Sequence, residues 1–138
     1  MDVHEPEVRS YNMSQIKGKD TRPEMVVRKF LFSKGFRYRL HVKTLPGKPD
    51  IVLPKYKTVI FVHGCFWHGH EGCKYFVIPK TRTDWWLNKI NNNKRNDEKA
   101  IALLKKDHWK IITLWECKLK PYSRESTLNK LTSRLNKS

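Results

Sequence analysis

The sequence predicts one α/β domain spanning residues 1–138, a three-layer α/β/α sandwich around a mixed central sheet. Two short apolar runs, Thr58-Val59-Ile60-Phe61-Val62 and Lys110-Ile111-Ile112-Thr113-Leu114-Trp115, read as strands buried on both faces. A long helical stretch separates them, and a strand–helix–strand crossover places its two strands parallel in one sheet. Helical patterns near each end of the chain supply cover for both faces of that sheet. The 138 residues suffice for one modest core and are too few for two.

In chain order, residues 1–20 read as an N-terminal arm. Thr21-Arg22-Pro23-Glu24 has the form of a capping box with proline in the first turn, and Val26, Val27, Phe30 and Leu31 follow at helical spacing. This helix should run to about Lys34 and stop at Gly35. Residues Phe36 to Val42 alternate like a strand. Leu45-Pro46-Gly47-Lys48-Pro49 is a turn, and Asp50-Ile51-Val52-Leu53 a short strand. Pro54-Lys55-Tyr56-Lys57 turns the chain into the Thr58 run, so the two strands form a hairpin and the sheet is mixed. Helical sequence begins at Thr83-Asp84-Trp85-Trp86 and continues to about Lys106, with a polar patch from Asn91 to Asp97. A strand from Lys110 to Glu116 follows, then a final helix from Ser123 to Asn136 within the segment 121–138.

Charge narrows the function. Lys and Arg number 29 against 13 Asp and Glu, a net charge of +16. Between Lys17 and Lys48 stand ten basic residues and two acids, Asp20 and Glu24. A small domain of this charge carries the electrostatic footprint of a nucleic-acid binder. Aromatic residues interleave with the cations and no basic amphipathic helix stands out, which favours nucleic acid over an acidic membrane. The apolar runs, such as Val59 to Val62, are far short of the ~20 residues that a membrane span needs. The polar opening Met1-Asp2-Val3-His4-Glu5 is not a secretory signal, so a cytoplasmic location is expected.

The three cysteines, Cys65, Cys73 and Cys117, cannot all pair within one chain, and their setting fits a metal better than a disulfide. Cys65 and Cys117 each lie just past the C-terminal end of one of the two buried parallel strands, where neighbouring strands bring thiols together. Cys65-x4-His70-x2-Cys73 adds two ligands from one loop. Three thiolates and one imidazole form a closed tetrahedral set suited to structural Zn²⁺. Spacing leaves the histidine open, because His63 and His68 are also near and Cys65-x2-His68 is allowed.

Pro49-Asp50, a hairpin, and a buried strand ending at Val62-His63 form the skeleton of the PD-(D/E)xK nucleases. There an Asp at a strand start and an acid-x-Lys on the next strand hold Mg²⁺ beside the scissile phosphate. Here the acid-x-Lys positions read Phe61-Val62-His63, so the second carboxylate is missing. A Pro-Asp dipeptide alone is weak, since Asp in a turn also satisfies backbone N–H groups. Read with Val62-His63-Gly64-Cys65-Phe66-Trp67-His68, Thr81-Arg82-Thr83, Trp86 and Trp115-Glu116-Cys117, however, it resembles the very-short-patch repair (Vsr) endonucleases. Asp2-Val3-His4, Asn12-Met13 and Asp20-Thr21 match the same family, and the likeness covers residues 2 to 120 in order.

The resemblance implies a restriction-endonuclease-like fold with a structural zinc, and a Mg²⁺-dependent activity. The family nicks duplex DNA on the 5′ side of the thymine in a T:G mismatch, the lesion left when 5-methylcytosine deaminates. This links the protein to a cytosine-5 methyltransferase and to a repair DNA polymerase. Cutting one strand needs one active site, so a monomer is expected. By position, Asp50 and the main-chain carbonyl of Val62 match the Mg²⁺ contacts, and His68 matches the catalytic histidine. That leaves Cys65, His70, Cys73 and Cys117 for zinc, although relatives can space the cysteine matching Cys73 one residue closer to the histidine. Glu24 matches a glutamate that steers the imidazole or a metal-bound water, and it is also the N3 residue of the capping box. His63 matches a histidine near the phosphate. A neutral imidazole at His68 suits proton abstraction near neutrality.

Phe66 and Trp67 are adjacent large rings in a tight loop between metal ligands, an awkward place for core. In the family the rings matching Phe66, Trp67 and Trp86 enter the DNA stack beside the mismatch, and Met13 joins them from the N-terminal arm. Unstacking a base step costs a few kcal/mol, less beside a mispair. Aromatic stacking of ~1–3 kcal/mol per base offsets it. Lys89 and Asn93, the latter in the amide- and cation-rich run Asn91–Asn96, are expected to contact DNA. Trp85, Trp109 and Trp115 are expected to pack in the protein.

Overall fold

A computed structural model of the chain describes residues 20–137. The expectations for Met13, Asn12 and Asp2-Val3-His4 lie outside the described residues. Helix α1 (Arg22–Ser33) starts as a capping box: Thr21 Oγ1 accepts the Glu24 N–H at 3.3 Å. The reciprocal bond lands one residue earlier than the motif prescribes, because Glu24 Oε1 accepts the Asp20 N–H at 3.2 Å. The helix ends in a Schellman motif. Phe36 N–H donates to Leu31 C=O and Gly35 N–H to Phe32 C=O, both at 3.0 Å, with Gly35 at φ +88°.

The sheet has the order β1-β2-β3-β4. Strand β1 (Arg39–Leu40) runs antiparallel to β2 (Ile51–Leu53), and β2 antiparallel to β3 (Thr58–His63). Strand β3 is parallel to β4 (Lys110–Trp115) in the register Thr58↔Lys110 to His63↔Trp115. The crossover between them is helix α2 (Thr83–Lys106), and helix α3 (Arg124–Asn136) follows a 3-10 turn at Glu116–Leu119. The expected parallel pair, hairpin and three helices are all present. The expected strand from Phe36 to Val42 shrinks to two residues. His41 stands at φ +50°, outside the β region, and ends the pairing there.

Alternation along β3 divides the core. Ile60 joins Ile51, Leu53, Ile112 and Leu114 under Val27 and Leu31 of α1 and Leu128, Leu131 and Leu135 of α3. On the other face Val59 and Phe61 join Val52 and meet Leu104 of α2. Helices therefore cover both faces of a four-stranded mixed sheet. The turn at Leu45–Pro49 seats against α2 through Gly47. At φ +74° a Cβ there would stand 2.6 Å from Ala100 Cβ, so only glycine allows the approach. The C-terminal end of β3, the start of β2 and one face of α2 meet at one end of the molecule.

A candidate active site beside a cysteine-histidine centre

Asp50 precedes β2 and reaches across to the end of β3, where its Oδ2 accepts the Val62 N–H at 2.7 Å. Lys110 N–H donates to Lys57 C=O, so odd residues of β3 turn their peptide groups to β4 and even residues turn theirs to β2. The Val62 carbonyl thus faces the same side as the Asp50 carboxylate, past the end of β2. Burial pushes the Asp50 carboxyl up to about 6, and the charge of Glu24 adds to the rise. The Val62 N–H bond, His41 and His68 oppose it. A half-buried carboxylate beside a main-chain carbonyl is a hard oxygen donor set, of the kind that fits Mg²⁺.

Past β3 the chain winds tightly. His68 N–H donates to Gly64 C=O at 3.2 Å, and His70 N–H to Cys65 C=O at 2.9 Å. Gly69, at φ +60°, lets this loop lie on α2, where a Cβ would stand 2.3 Å from Lys94 Cε and 2.8 Å from Ile90 Cγ2. That contact sets His68 against α2, and its Nδ1 stands 2.7 Å from Asp97 Oδ2. A carboxylate on Nδ1 selects the tautomer with the proton there and leaves Nε2 as the free base. The other face of the His68 ring lies flat on His63, with centroids 3.7 Å apart and planes 3° apart. Burial, with a smaller push from His68, lowers the His63 value to about 4, against the pull of Asp97. His63 is therefore neutral near pH 7, and the stack carries no like-charge repulsion. Its Nδ1 is buried with no hydrogen-bond partner.

Asp97 carries no cue at sequence level beyond membership of the polar patch on α2, and its role is absent from the expectations. Glu24 keeps its expected place in the first turn of α1. Its carboxylate lies 3.4 Å from Arg28 Nη1 and 3.0 Å from His41 Nε2, and it is 1% exposed. Its charge adds to the rise of Asp50, and the carboxylate in contact with His68 is that of Asp97.

On the far side of the loop, one ligand atom from each of Cys65, His70, Cys73 and Cys117 lies within 4.8 Å of the other three. Cys117 Sγ is 3.5 Å from His70 Nδ1, and the Cys117 N–H donates to Cys65 Sγ at 3.3 Å. A tetrahedron with Zn–S of about 2.3 Å and Zn–N of about 2.0 Å has an N···S edge near 3.5 Å, so this donor set fits Zn²⁺. Burial pushes the Cys65 thiol up to about 12, a protonated state that a bound cation would reverse. His70 lies flat on Trp115, with centroids 4.0 Å apart, which fixes its ring plane. The four residues that the resemblance assigns to zinc thus come together, and His68 faces away from them.

Phe66, Trp67 and Trp86 form one cluster with centroids 5.4 to 5.8 Å apart. Phe66 and Trp67 are half-buried and Trp86 is buried. Asn93 Nδ2 donates to the Trp67 carbonyl at 2.9 Å, bracing the loop from α2, while Lys89 is exposed. Trp109 and Trp115 are partly buried in packing as expected, but Trp85 is 45% exposed under the Arg82 guanidinium at 4.8 Å. The helix phase explains this: the buried stripe of α2 runs through Trp86, Ile90, Ala100 and Leu104, and Trp85 is turned about 100° away.

Residues 1–74 match the family model described as DNA mismatch endonuclease Vsr. A type II nicking enzyme of Neisseria meningitidis, V.NmeAIP, is 53% identical over 119 residues, 86% of this chain and 84% of that protein. Another, V.XorIIP of Xanthomonas oryzae, is 50% identical over 114 residues, 83% of each chain. The DNA mismatch endonuclease Vsr of Escherichia coli is 42% identical over 135 residues, 97% of this chain and 85% of that one. With most of both chains aligned at these identities, the chain belongs to the Vsr family of DNA mismatch endonucleases and is a DNA endonuclease.

Proposed function

We propose that this endonuclease nicks duplex DNA on the 5′ side of the thymine in a T:G mismatch, using Mg²⁺ at Asp50 and the Val62 carbonyl. The observation that carries the reading is the His68–Asp97 pair, 2.7 Å apart, beside the Asp50 carboxylate at the end of β3. Mg²⁺, when bound, supplies positive charge that polarises the scissile phosphate. His68 takes the proton of the attacking water on Nε2, and Asp97 holds the ring in the tautomer that can do so. His63, neutral and stacked against His68, keeps that ring in plane at the side of the site where the phosphate would lie. A hairpin presenting Asp50 to the next strand of a mixed sheet supports a restriction-endonuclease-like fold of the PD-(D/E)xK type. The Cys65, His70, Cys73 and Cys117 donor set supports a structural zinc.

Recognition falls to the rings of Phe66, Trp67 and Trp86, which stand next to His68 on the same loop and on α2. Entering the stack there places the reacting phosphate within reach of His68, while Lys89 meets the backbone. A net charge of +16 supplies sequence-independent affinity. Acting as a monomeric single domain in the cytoplasm, the enzyme would open repair of deaminated 5-methylcytosine, followed by a polymerase. Its preferred flanks would follow those of a cytosine-5 methyltransferase. Among the described residues no helix is long and apolar enough to cross a membrane.

The test is a nicking assay on T:G duplexes with randomised flanks, matched C:G controls and an EDTA arm. A single Mg²⁺-dependent nick 5′ of the mismatched thymine is expected. Equal cleavage of matched DNA would remove the mismatch reading, and no cleavage with Mg²⁺ would remove the mechanism. Asp97→Asn is expected to lower kcat by about 10–100-fold, part of the 10²–10⁴ that a placed general base supplies. Mismatch-duplex affinity should not change, because Asp97 faces His68 and not the rings. A kcat equal to that of the parent would show that Asp97 does not orient the base.

A further inference from the structure

His41 stands where no sequence cue places a functional residue. We infer that His41 is a positioning residue that fixes the Glu24 carboxylate against Asp50, an inference that rests on the nuclease reading above. Its backbone reaches one acidic residue and its ring two others. The His41 N–H donates to the Asp50 carbonyl at 3.1 Å, and its buried Nε2, in ion-pair contact but without an aligned hydrogen bond, stands 3.0 Å from Glu24 Oε2 and 3.4 Å from Asp20 Oδ1. One residue therefore ties the main chain of Asp50 to the side chain of the buried glutamate.

The backbone is bent to achieve this. His41 sits at φ +50°, a region that non-glycine residues enter rarely, and it ends β1 there. A residue continuing the strand would send its ring to the next position of the pleat, away from Glu24. Strain held where a side chain meets a charged group is characteristic of functional sites.

The other partners of Glu24 do not do the same work. Arg28 is on α1, the helix that carries Glu24, and contacts it at 3.4 Å while sharing Nη1 with Asp20 at 2.8 Å. The Asp20 N–H is also local to that helix start. Both hold Glu24 to α1. Among the described residues, only His41 spans from the Glu24 carboxylate on α1 to the strand that leads to Asp50. Without it, Glu24 would keep its place in the capping box but lose its fixed distance to Asp50. The two carboxylates repel, and Asp50 would be displaced from the Val62 side.

Three substitutions separate the parts. His41→Ala removes the ring and keeps the strain, and His41→Gly removes the ring and the strain together. His41→Gln keeps a donor nitrogen at the place of Nε2. The expected result is a fall in kcat of about tenfold for His41→Ala and His41→Gly, with the Mg²⁺ concentration for half-maximal rate raised at least threefold. Gln should recover kcat to within about threefold. Calorimetric titration of the DNA-free protein with Mg²⁺ should show the same weakening, while mismatch-duplex affinity in EDTA and the zinc content stay at parent values. If His41→Gly restores kcat, the residue matters only through its backbone, and the inference is overturned. It is also overturned if all three variants nick with the parent's kcat and Mg²⁺ dependence. A parent that does not nick would instead remove the nuclease reading itself.

Discussion

Cys117→Ser is expected to abolish the cooperative thermal transition of the protein, and a strong zinc chelator should do the same to the parent. The site joins the loop after β3 to the turn after β4, so it closes the sheet at the end where catalysis is proposed. Apparent zinc-binding free energies are about 10–16 kcal/mol in small zinc-folded peptides. Whole-domain stabilities are only about 5–15 kcal/mol. Even a fraction of the binding energy exceeds the margin of a 138-residue chain. Serine replaces the thiolate with a group that does not ionise near neutrality, so the tetrahedron opens on one side and Cys65 is left as a buried thiol. Elemental analysis should give one zinc per chain in the parent. Near-ultraviolet circular dichroism should lose its signal on chelation, since Trp115 stacks on His70. A zinc-free protein with the parent's melting temperature would overturn the structural zinc.

Much of this centre can be counted out of the sequence. The register pairs His63 with Trp115, and two further residues bring each strand to its cysteine, Cys65 and Cys117. Apolar runs without alternation announce strands covered on both faces, and that is how β3 lies; β4 stands at the sheet edge and buries only Ile112 and Leu114, so the same expectation fails there on its second face. Trp86 against Trp85 is legible in principle, because the stripe through Ile90, Ala100 and Leu104 fixes the phase of α2. The resemblance, not the spacing, separates His70 from His68 as the candidate metal ligand.

What stays hidden shares a physical cause. Asp97 meets His68 across 29 residues, through a helix face whose rotation depends on how Gly69 seats the loop. No local period encodes such a contact. His41 lies inside an alternating strand pattern, and its positive φ overrides that pattern. Glu24 satisfies a helix-start motif so well that its second set of partners, brought by β1, leaves no trace in the local sequence.

Asp50→Asn is expected to reduce nicking by more than 10³-fold while raising the stability of the metal-free protein by about 1–3 kcal/mol at pH 8. The first effect follows from removing the charged oxygen that meets the cation, with the base at His68 left in place. The second follows from the direction in which the carboxyl is displaced. Burial lifts Asp50 from an ordinary 3.8 to about 6 in the fold. A carboxyl raised in this way contributes nothing below pH 4, where it is protonated both folded and unfolded. It destabilises increasingly as pH rises through 4 to 6, and the full cost remains above that. A rise of this size sets an upper bound of about 3 kcal/mol. The amide avoids this cost and can still accept the Val62 N–H through its oxygen. Denaturant unfolding in EDTA at pH 4 and pH 8 is the check: the gain should be present at pH 8 and vanish at pH 4. Added Mg²⁺ should stabilise the parent and leave Asp50→Asn unmoved, because only a species that binds the folded state shifts its stability. An Asp50→Asn protein no more stable than the parent at pH 8 would show that the carboxylate is not held under strain for a cation.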